Sequence, residues 1–330
     1  MSDPTQAPDE APARYPDGEN PQIVELGERL SRLLDVDGLA HLALYDGDMA
    51  KVVLDADPCG EKDTEGVSRV SRFHEQAGRH LYYILEELEP DFAELRTGAL
   101  IRTVLRVPSG AVYYYLVEPG LHLYGATAAT APTPSRIDEL DALIADCVND
   151  LRAEARYSRL DYNSYLGDKS HITAHTADPT RTGAPEMNSG GAGVRLSQSA
   201  PRSVALPLRA ALDLDGLHYI AYYAGDVCSA DLFHHAALRR YFLATDPQRR
   251  RDKYGRMGLL LPGVARRMNA SLGAILNGEV LQIVLDVEQG AVYYHALPGQ
   301  RYLVGVTLDQ SRVAAADHRL ARLGRELTDG

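Results

Sequence analysis

Two stretches of the sequence repeat each other and decide the fold. Residues 98–127 read GALIRTVLRVPSGAVYYYLVEPGLHLYGAT, and residues 278–307 read GEVLQIVLDVEQGAVYYHALPGQRYLVGVT. Aligned without a gap, they are identical at 12 of 30 positions, including the run Gly-Ala-Val-Tyr-Tyr. Upstream, LDVDGL at 34–39 matches LDLDGL at 212–217, so the numbering offset between the copies hardly changes from one match to the next. This preserved order predicts a duplicated domain.

Composition divides the chain of 330 residues into four segments. Residues 1–20 carry five acids, one arginine and four prolines, which predicts a disordered acidic tail. Residues 158–200 are rich in Gly, Ser, Thr and Pro and are predicted to form a flexible linker. The two globular domains are therefore predicted at 21–157, named the first copy, and at 201–330, named the second copy.

Hydrophobic periodicity and turn residues predict the element order α-β-β-α-β-β-β-α in each copy. The long central helix of the first copy presents one apolar seam, made by Val67, Val70, His74, Ala77, Leu81, Ile84 and Leu88. On this seam His74 is interpreted as a core or interface residue. The matching helix of the second copy carries Leu261, Val264, Met268 and Leu272. A spacer is predicted at 89–98, and a basic insert at 238–256.

Composition and charge argue against several classes of protein. The net charge of −12 disfavours binding to nucleic acid or to anionic membranes, because phosphate surfaces would repel the chain as a whole. No run of about 18 apolar residues predicts a membrane span, and the N-terminus has no apolar signal sequence. Three cysteines without paired spacing indicate a reducing compartment. We therefore expect a cytoplasmic protein.

Motifs that carry chemistry are not recognised in the sequence. The glycine-rich runs at 189–193 and 255–263 lack the spacing of a phosphate-binding loop. The histidine pairs at 171 and 175 and at 234 and 235 lack partners at zinc-binding spacing. The carboxylate pairs at 35 and 37 and at 213 and 215 are interpreted as parts of glycine turns. No catalytic, cofactor-binding or metal-binding residue is predicted, and the protein is not expected to be an enzyme.

The order of elements resembles the Roadblock / dynein light chain family. In both copies D-x-D-G-L opens the first strand, and the order is a helix, a hairpin, a long helix, a three-stranded meander and a helix. The resemblance covers 21–157 and 201–330. It implies an α/β (α+β) fold, with a five-stranded antiparallel sheet in each domain, the outer helices on one face and the long central helix on the other. Two copies in one chain depart from the usual single-copy plan of the family.

The resemblance also implies partners. Members of the family usually dimerise through the central helices and an edge strand. They act as regulators or scaffolds of Ras-like small GTPases, or as adaptors in motor complexes, and a bacterial branch includes GTPase-activating proteins. On this basis we expect a non-catalytic regulator or scaffold that binds a Ras-like small GTPase or a signalling complex.

Charge is distributed unevenly between the copies. Residues 21–156 hold 13 basic and 24 acidic residues, whereas residues 201–330 hold 16 basic and 13 acidic residues. Acids cluster at the end of the central helix of the first copy, at Glu86, Glu87, Glu89, Asp91 and Glu94. Basic residues surround the start of the central helix of the second copy, at Arg249, Arg250, Arg251, Lys253, Arg256, Arg266 and Arg267. This complementarity predicts that the copies pair as an intramolecular pseudo-dimer, although a homo-oligomer or a solvated basic loop would also fit.

Two further functions remain open from the sequence. Domains of this size can enclose a ligand pocket between helix and sheet, so a small-molecule sensor is one alternative. The basic insert could instead contact an anion or nucleic acid. The tyrosine pairs at 113–114, 222–223 and 293–294 fit a half-buried sheet, and an exposed tyrosine platform for a protein partner is the alternative.

Overall fold

The structure is a computed structural model that describes residues 13–19, 21–34, 36–56, 67–160, 194–197 and 201–329. Most of the predicted tail and most of the predicted linker lie outside these ranges. Asp35, Cys59, His171, His175 and the glycine-rich run at 189–193 also lie outside the described residues, together with the interpretations given to them.

Seven α-helices lie in the part of the chain that the structure describes. The first copy contains α1 (Pro21–Leu34), α2 (Arg69–Glu86), α3 (Glu89–Leu95) and α4 (Pro134–Glu154). The second copy contains α5 (Arg202–Ala211), α6 (Pro247–Leu272) and α7 (Val313–Asp329). Two 3₁₀ turns, Ala236–Phe242 and Gln310–Arg312, precede α6 and α7. None of the described helices is long and apolar enough to cross a membrane.

The described strands alternate with these helices. Five lie in the first copy: β1 (Leu39–Asp46), β2 (Met49–Asp55), β3 (Leu100–Val107), β4 (Gly110–Glu118) and β5 (Leu121–Thr127). The others are β6 (Arg195–Leu196), β7 (Tyr219–Ala224), β8 (Asp226–Asp231), β9 (Gln282–Val287), β10 (Gly290–Leu297) and β11 (Arg301–Thr307). The mixed α/β class predicted from the sequence is confirmed. The observed order agrees with the predicted one, with α3, β6 and the 3₁₀ turns in addition.

The predicted spacer at 89–98 contains helix α3 instead. Glu89 and Asp91 lie in its first turn, where negative charge stabilises the helix dipole, and Pro90 is tolerated there because the first N–H groups have no helical partner. Phe92 and Leu95 are buried, so the short helix is held by packing. Arg96 ends it in a left-handed conformation with φ of 54°.

Two compact units are interleaved along the chain. Unit 1 consists of Met1–Leu85, Val107–Arg159 and Arg267–Glu279, and unit 2 of Glu86–Arg106, Leu160–Arg266 and Val280–Gly330. Each unit therefore takes segments from both copies, and the domain boundaries at 157 and 201 stay predictions.

Unit 1 is built on antiparallel strands in the order β2-β1-β5-β4, with helices on both faces. On one face, Gly125 of β5 lies beneath Leu42 of β1 and Ile144 of α4. On the other face, Tyr45 of β1 covers α2 at Gly78. Because both faces are covered, the strands are apolar almost throughout, as expected for a doubly packed sheet.

Unit 2 contains antiparallel strands in the order β3-β9-β10-β11-β7-β8-β6. Helix α7 packs on β10 and β11 and contacts α5. On the other face, Tyr223 of β7 covers α6 at Gly258. The pairing of β3 with β9 joins a strand of the first copy to a strand of the second.

One tyrosine–glycine contact occurs in both copies. The hydroxyl of Tyr45 donates to the carbonyl of Glu75 over 3.2 Å, and the hydroxyl of Tyr223 donates to the carbonyl of Gly255 over 3.2 Å. A Cβ at Gly78 or Gly258 would collide with the tyrosine ring, so glycine is needed for this close approach. Because the tyrosines and the glycines stand at matching positions of the two copies, this contact follows the duplication seen in the sequence.

Short segments cover the outer edges of β2 and β8, which the sequence interpretation did not foresee. Arg14 pairs with Val53 of β2 through two backbone hydrogen bonds of 2.9 Å, and β6 pairs with β8. The Arg14 guanidinium also donates to Ser71 Oγ over 2.7 Å. These contacts lie in residues 13–19 of the predicted tail, whose disorder stays a prediction. Likewise, the predicted linker contains β6.

Candidate pairing interface and partner surface

Strands β3 and β9 pair in a register that is symmetric with respect to the duplication. Val104 lies opposite Val284, which is its own counterpart in the aligned repeat. On either side, Thr103 pairs with Leu285 and Leu105 pairs with Ile283, so that exchanging the two strands would preserve the pairing positions. A pseudo-two-fold axis therefore passes between Val104 and Val284, as in an isologous interface.

A buried ion pair lies beside this axis. Arg102 of β3 is opposite Asp286 of β9, and the guanidinium NH2 is 2.5 Å from the carboxylate Oδ2. Both side chains are 0% exposed. Removing one partner of such a pair typically costs about 3–5 kcal/mol, because the other charge is left buried without compensation. The pair therefore makes the β3–β9 register sensitive to the identity of both residues.

A second polar cluster lies on the opposite side of the axis. Arg106 of β3 is opposite Gln282 of β9, and its NH2 is 3.8 Å from Asp317 of α7. The side-chain amide of Gln282 donates to the same Asp317 carboxylate. Thus both arginines of β3 face acids that belong to the second copy.

Opposite charges also meet where α3 ends and α6 begins. Here the first copy supplies the acid and the second copy supplies the bases. The ammonium of Lys253 is 3.1 Å from the Glu94 carboxylate and also donates to the Glu94 carbonyl. Arg256 NH2 is 3.9 Å from Glu94. The hydrogen bond from Lys253 lowers the pKa of Glu94. Nearby, Arg250 donates to the Leu95 carbonyl over 3.0 Å, so that the basic start of α6 holds the end of α3 in unit 2.

The remaining charged residues that the sequence predicted for pairing have other surroundings. Arg251 binds Asp231 of β8 with two hydrogen bonds, of 2.5 and 2.8 Å. Its guanidinium therefore forms a buried ion pair within the second copy. Glu86, Glu87 and Arg249 are exposed.

Most residues of the two predicted seams are buried. In the first copy His74, Ala77, Leu81, Ile84 and Leu88 are buried, whereas Val67 is intermediate and Val70 is exposed. In the second copy the buried residues are Leu261, Val264, Met268 and Leu272. Burial accounts for their apolar character but leaves them unavailable to an additional partner.

His74 belongs to a buried polar cluster within unit 1. Its ring stacks on His41 at 4.4 Å between centroids, and its Nδ1 is 3.2 Å from the Tyr124 hydroxyl. His41 Nδ1 donates to Asp55 over 2.7 Å. Burial, reinforced by the neighbouring His41, lowers the pKa of His74 well below its ordinary value. Among the described residues no group of three His, Cys, Asp or Glu side chains is arranged to hold a metal ion.

Asp55 keeps its charge inside this cluster. Burial alone would raise the pKa of Asp55, but hydrogen bonds from His41 and Ser71 outweigh it and lower the pKa. In the second copy the corresponding pair is Tyr219 and Asp231, and Arg251 supplies the compensating charge instead. A carboxylate at matching positions of the two copies is therefore stabilised by His41 in the first copy and by Arg251 in the second.

The exposed face of α6 carries apolar residues that remain accessible. Leu259 is 62% exposed and Leu260 is 49% exposed. Arg256, three residues before Leu259, and Arg266, six residues after Leu260, are also exposed. We call Arg256, Leu259, Leu260 and Arg266 the α6 face. Apolar periodicity does not reveal this face, because it marks the side of the helix that the core buries.

Two other predicted features can be located. The tyrosine pairs are buried, including Tyr114 and Tyr294, so they do not form an exposed platform. An open groove of about 530 Å³ lies between α1 and α4 in unit 1, lined by Leu33, Leu143, Cys147 and Leu151. At its rim Arg29 binds Glu154, and burial raises the pKa of Cys147 to about 11, which keeps its thiol protonated at neutral pH.

The interface residues Arg102 and Asp286 were also missed at the level of sequence. The signal for them was an arginine within an apolar strand and an acid within its duplicate. Neither residue is notable alone, because only strand pairing brings them together. Comparison of the chain with protein-family models and with curated proteins finds no match.

Proposed function

We propose that the chain is a non-catalytic regulator or scaffold made of two Roadblock-like domains that pair within one molecule and bind a Ras-like small GTPase. Each domain would contribute a five-stranded antiparallel sheet. The observation that carries the proposal is the pseudo-symmetric pairing of β3 with β9 in a chain whose element order repeats. Pairing through an edge strand and the region of the central helices is what the resemblance to the Roadblock family implies.

The contacts of the basic insert support a structural role for its cations. Arg250 binds the Leu95 carbonyl, Arg251 binds Asp231 and Lys253 binds Glu94. A cation held by a protein acceptor has less to offer a phosphate group, so binding of nucleic acid through this insert is disfavoured relative to protein binding.

The α6 face is the surface that we assign to the GTPase. Two exposed leucines flanked by arginines provide an apolar centre with a charged rim, which is the usual anatomy of a protein interface. The arginines favour a partner with acidic residues around an apolar patch. The β3–β9 pairing would then keep the two copies together while the α6 face recruits the partner.

The proposal is tested by pull-down with the full chain. Immobilised protein is exposed to the GTPases of the same cell, loaded with a non-hydrolysable GTP analogue or with GDP, and bound proteins are identified by mass spectrometry. We expect one Ras-like GTPase to be enriched in one nucleotide state. The proposal fails when no GTPase binds in a nucleotide-dependent manner.

Substitution in the α6 face gives the first prediction. The double variant Leu259→Glu and Leu260→Glu should weaken binding of that GTPase by at least about tenfold, because charge replaces the apolar centre of the interface. Leu206→Glu with Leu243→Glu is the matched control, since Leu206 is 62% and Leu243 is 87% exposed in unit 2 but neither lies on α6. Affinity is measured by titration calorimetry with the purified GTPase. Equal weakening by all substitutions would assign the effect to net charge.

The groove between α1 and α4 favours a second candidate function, a small-molecule sensor. Its volume of about 530 Å³ is in the range of ligand sites, and its floor is apolar. A metabolite that raises the melting temperature of the wild type, but not of a Leu143→Asp variant, would support this candidate. Such a result without any nucleotide-dependent GTPase would replace the leading proposal.

A further inference from the structure

Because the register is pseudo-symmetric, it determines which residues would lie opposite each other if two first copies or two second copies paired. In the β3–β9 pair, each residue and its counterpart in the other copy lie at equal distances from the Val104–Val284 axis. If two first copies paired through β3 in the same register, Arg102 of one would lie opposite Arg106 of the other. If two second copies paired through β9, Gln282 would lie opposite Asp286.

Pairing of two first copies would bury like charges. Arg102 is 0% and Arg106 14% exposed at the side chain, so neither position is hydrated well enough to screen an opposing arginine. The counterpart of Asp317 in the first copy is Asp141, as the matching contacts of Tyr113 with Ile137 and of Tyr293 with Val313 indicate. The Asp141 carboxylate already accepts a hydrogen bond of 2.5 Å from Tyr115, so it is engaged within its own copy.

Pairing of two second copies would leave a buried carboxylate without a cation. Asp286 would face the neutral amide of Gln282, and its side chain is 0% exposed in the observed pairing. At the helix ends, like pairing would also separate Lys253 from Glu94 and bring basic residues toward basic residues. An uncompensated buried charge or a like-charge contact costs enough to exclude a partner.

We propose that β3 of the first copy pairs only with β9 of a second copy, and that two first copies or two second copies do not pair with each other. Arg102 and Asp286 are the residues that determine this specificity. The partner that fits β3 is thus an apolar strand with an acid at the position opposite Arg102, as β9 provides. This inference rests on the paired arrangement in the proposed function, and it adds the rule by which the pairing is chosen. A change of charge at position 102 should therefore change the strand with which β3 pairs.

The test uses full-length variants. Arg102→Asp places a carboxylate opposite Asp286 in the unlike pair, but opposite Arg106 when two first copies meet. We therefore expect Arg102→Asp to convert a monomer of 36.1 kDa into a dimer of about twice that mass by light scattering. The double variant Arg102→Asp with Asp286→Arg restores an opposite-charge pair and should return the protein to a monomer. Arg239→Asp, at an exposed position, controls for the change in net charge.

Zero-length crosslinking provides a second readout. Carbodiimide should link Lys253 to Glu94, which are 3.1 Å apart, and a mixture of ¹⁴N-labelled and ¹⁵N-labelled chains distinguishes links within one chain from links between chains. We expect intrachain links in the wild type, a loss of at least about tenfold in Arg102→Asp, and recovery in the double variant.

Each outcome has a definite reading. If Arg102→Asp retains the intrachain link, or if the double variant is no better than the single one, the specificity rule is wrong. If Arg102→Asp fails to fold, recovery by the double variant still supports the rule, and failure of recovery overturns it. Interchain links in the wild type would refute pairing within one molecule but leave the rule intact, and loss of GTPase binding in the α6 face variants bears on the proposed function alone.

Discussion

At the scale of single residues, His41 and His74 carry the strongest dependence on solution conditions. Their rings stack inside unit 1, Asp55 accepts from one and Tyr124 contacts the other. Tyr45, Glu75, Arg14 and Arg79 are the other charged or titratable groups near the cluster. A proton on His74 would place a positive charge in a buried site, so acid should destabilise the fold.

The pH dependence follows from the direction of the pKa shift. The pKa of His74 is lower in the folded state than its ordinary 6.5, so the unfolded chain binds more protons below that pH. Its contribution is therefore complete above pH 6.5 and is lost as the pH falls below 6.5. Burial also lowers the pKa of His122, to about 4, and those of His218 and His295, which act in the same direction.

We predict that His74→Phe flattens this pH dependence. The free energy of unfolding of the wild type should fall between pH 6.5 and 5.5. In the variant this fall should be smaller by up to about 1.4 kcal/mol, which is the value for one proton over one pH unit. Urea unfolding at the two pH values measures the slope. His80→Gln, at an exposed position of the same helix, is the control. An unchanged slope in His74→Phe would contradict the assignment.

At the scale of elements, the tyrosine–glycine contact fixes each central helix against its sheet. A Cβ at Gly258 would overlap the Tyr223 hydroxyl, whereas a Cβ at Gly263 of the same helix would meet nothing within 4 Å. Alanine generally favours a helix over glycine by about 1 kcal/mol. The two glycines of one helix should therefore respond to the same substitution with opposite signs.

We predict that Gly258→Ala destabilises the protein by about 1–3 kcal/mol, as expected for overpacking. Gly263→Ala should instead stabilise it by up to about 1 kcal/mol. Thermal and urea unfolding of both variants provide the measurement. Stabilisation by Gly258→Ala would mean that Tyr223 moves away without cost, and the contact would then have no role in placing α6.

Elements with a long hydrophobic period could be predicted from the sequence, and short ones could not. The seam residues from His74 to Ile84 are buried as their spacing indicates, because a helix longer than four turns repeats the signal several times. Leu88 is also buried, but it lies beyond the end of α2 at Glu86, so its predicted place on the central helix is wrong. Helix α3 was missed because seven residues give too few repeats, and β6 was missed because two residues have no period. These short elements depend on tertiary contacts, such as the burial of Phe92 and the pairing of Leu196 with Ala230.

The candidate site, like the fold, could be predicted from the sequence only in part. The charge clusters could be found by counting, and the contact of Glu94 with Lys253 and Arg256 joins two of them. Arg102 and Asp286 could not be selected, because their importance comes from lying opposite each other in two strands that are far apart along the sequence. Sequence pattern finds faces of elements, whereas the register between distant strands is a property of the folded chain.

At the scale of the whole molecule, the duplication has not produced two equal surfaces. By the alignment of the two copies, Leu259 and Leu260 of α6 correspond to Arg79 and His80 of α2. Arg79 and His80 are exposed but polar, so the first copy has no counterpart of the apolar centre on the α6 face. A dimer of identical single-copy domains would necessarily carry such a face twice.

This difference predicts a stoichiometry. If the proposed GTPase binds the α6 face, which has no apolar counterpart at the matching positions of α2, titration calorimetry should give a binding ratio of 1:1. A ratio of two partners per chain would contradict the assignment of the α6 face. On the proposed function, a chain with one such face would be monovalent, so it would recruit its partner without crosslinking it.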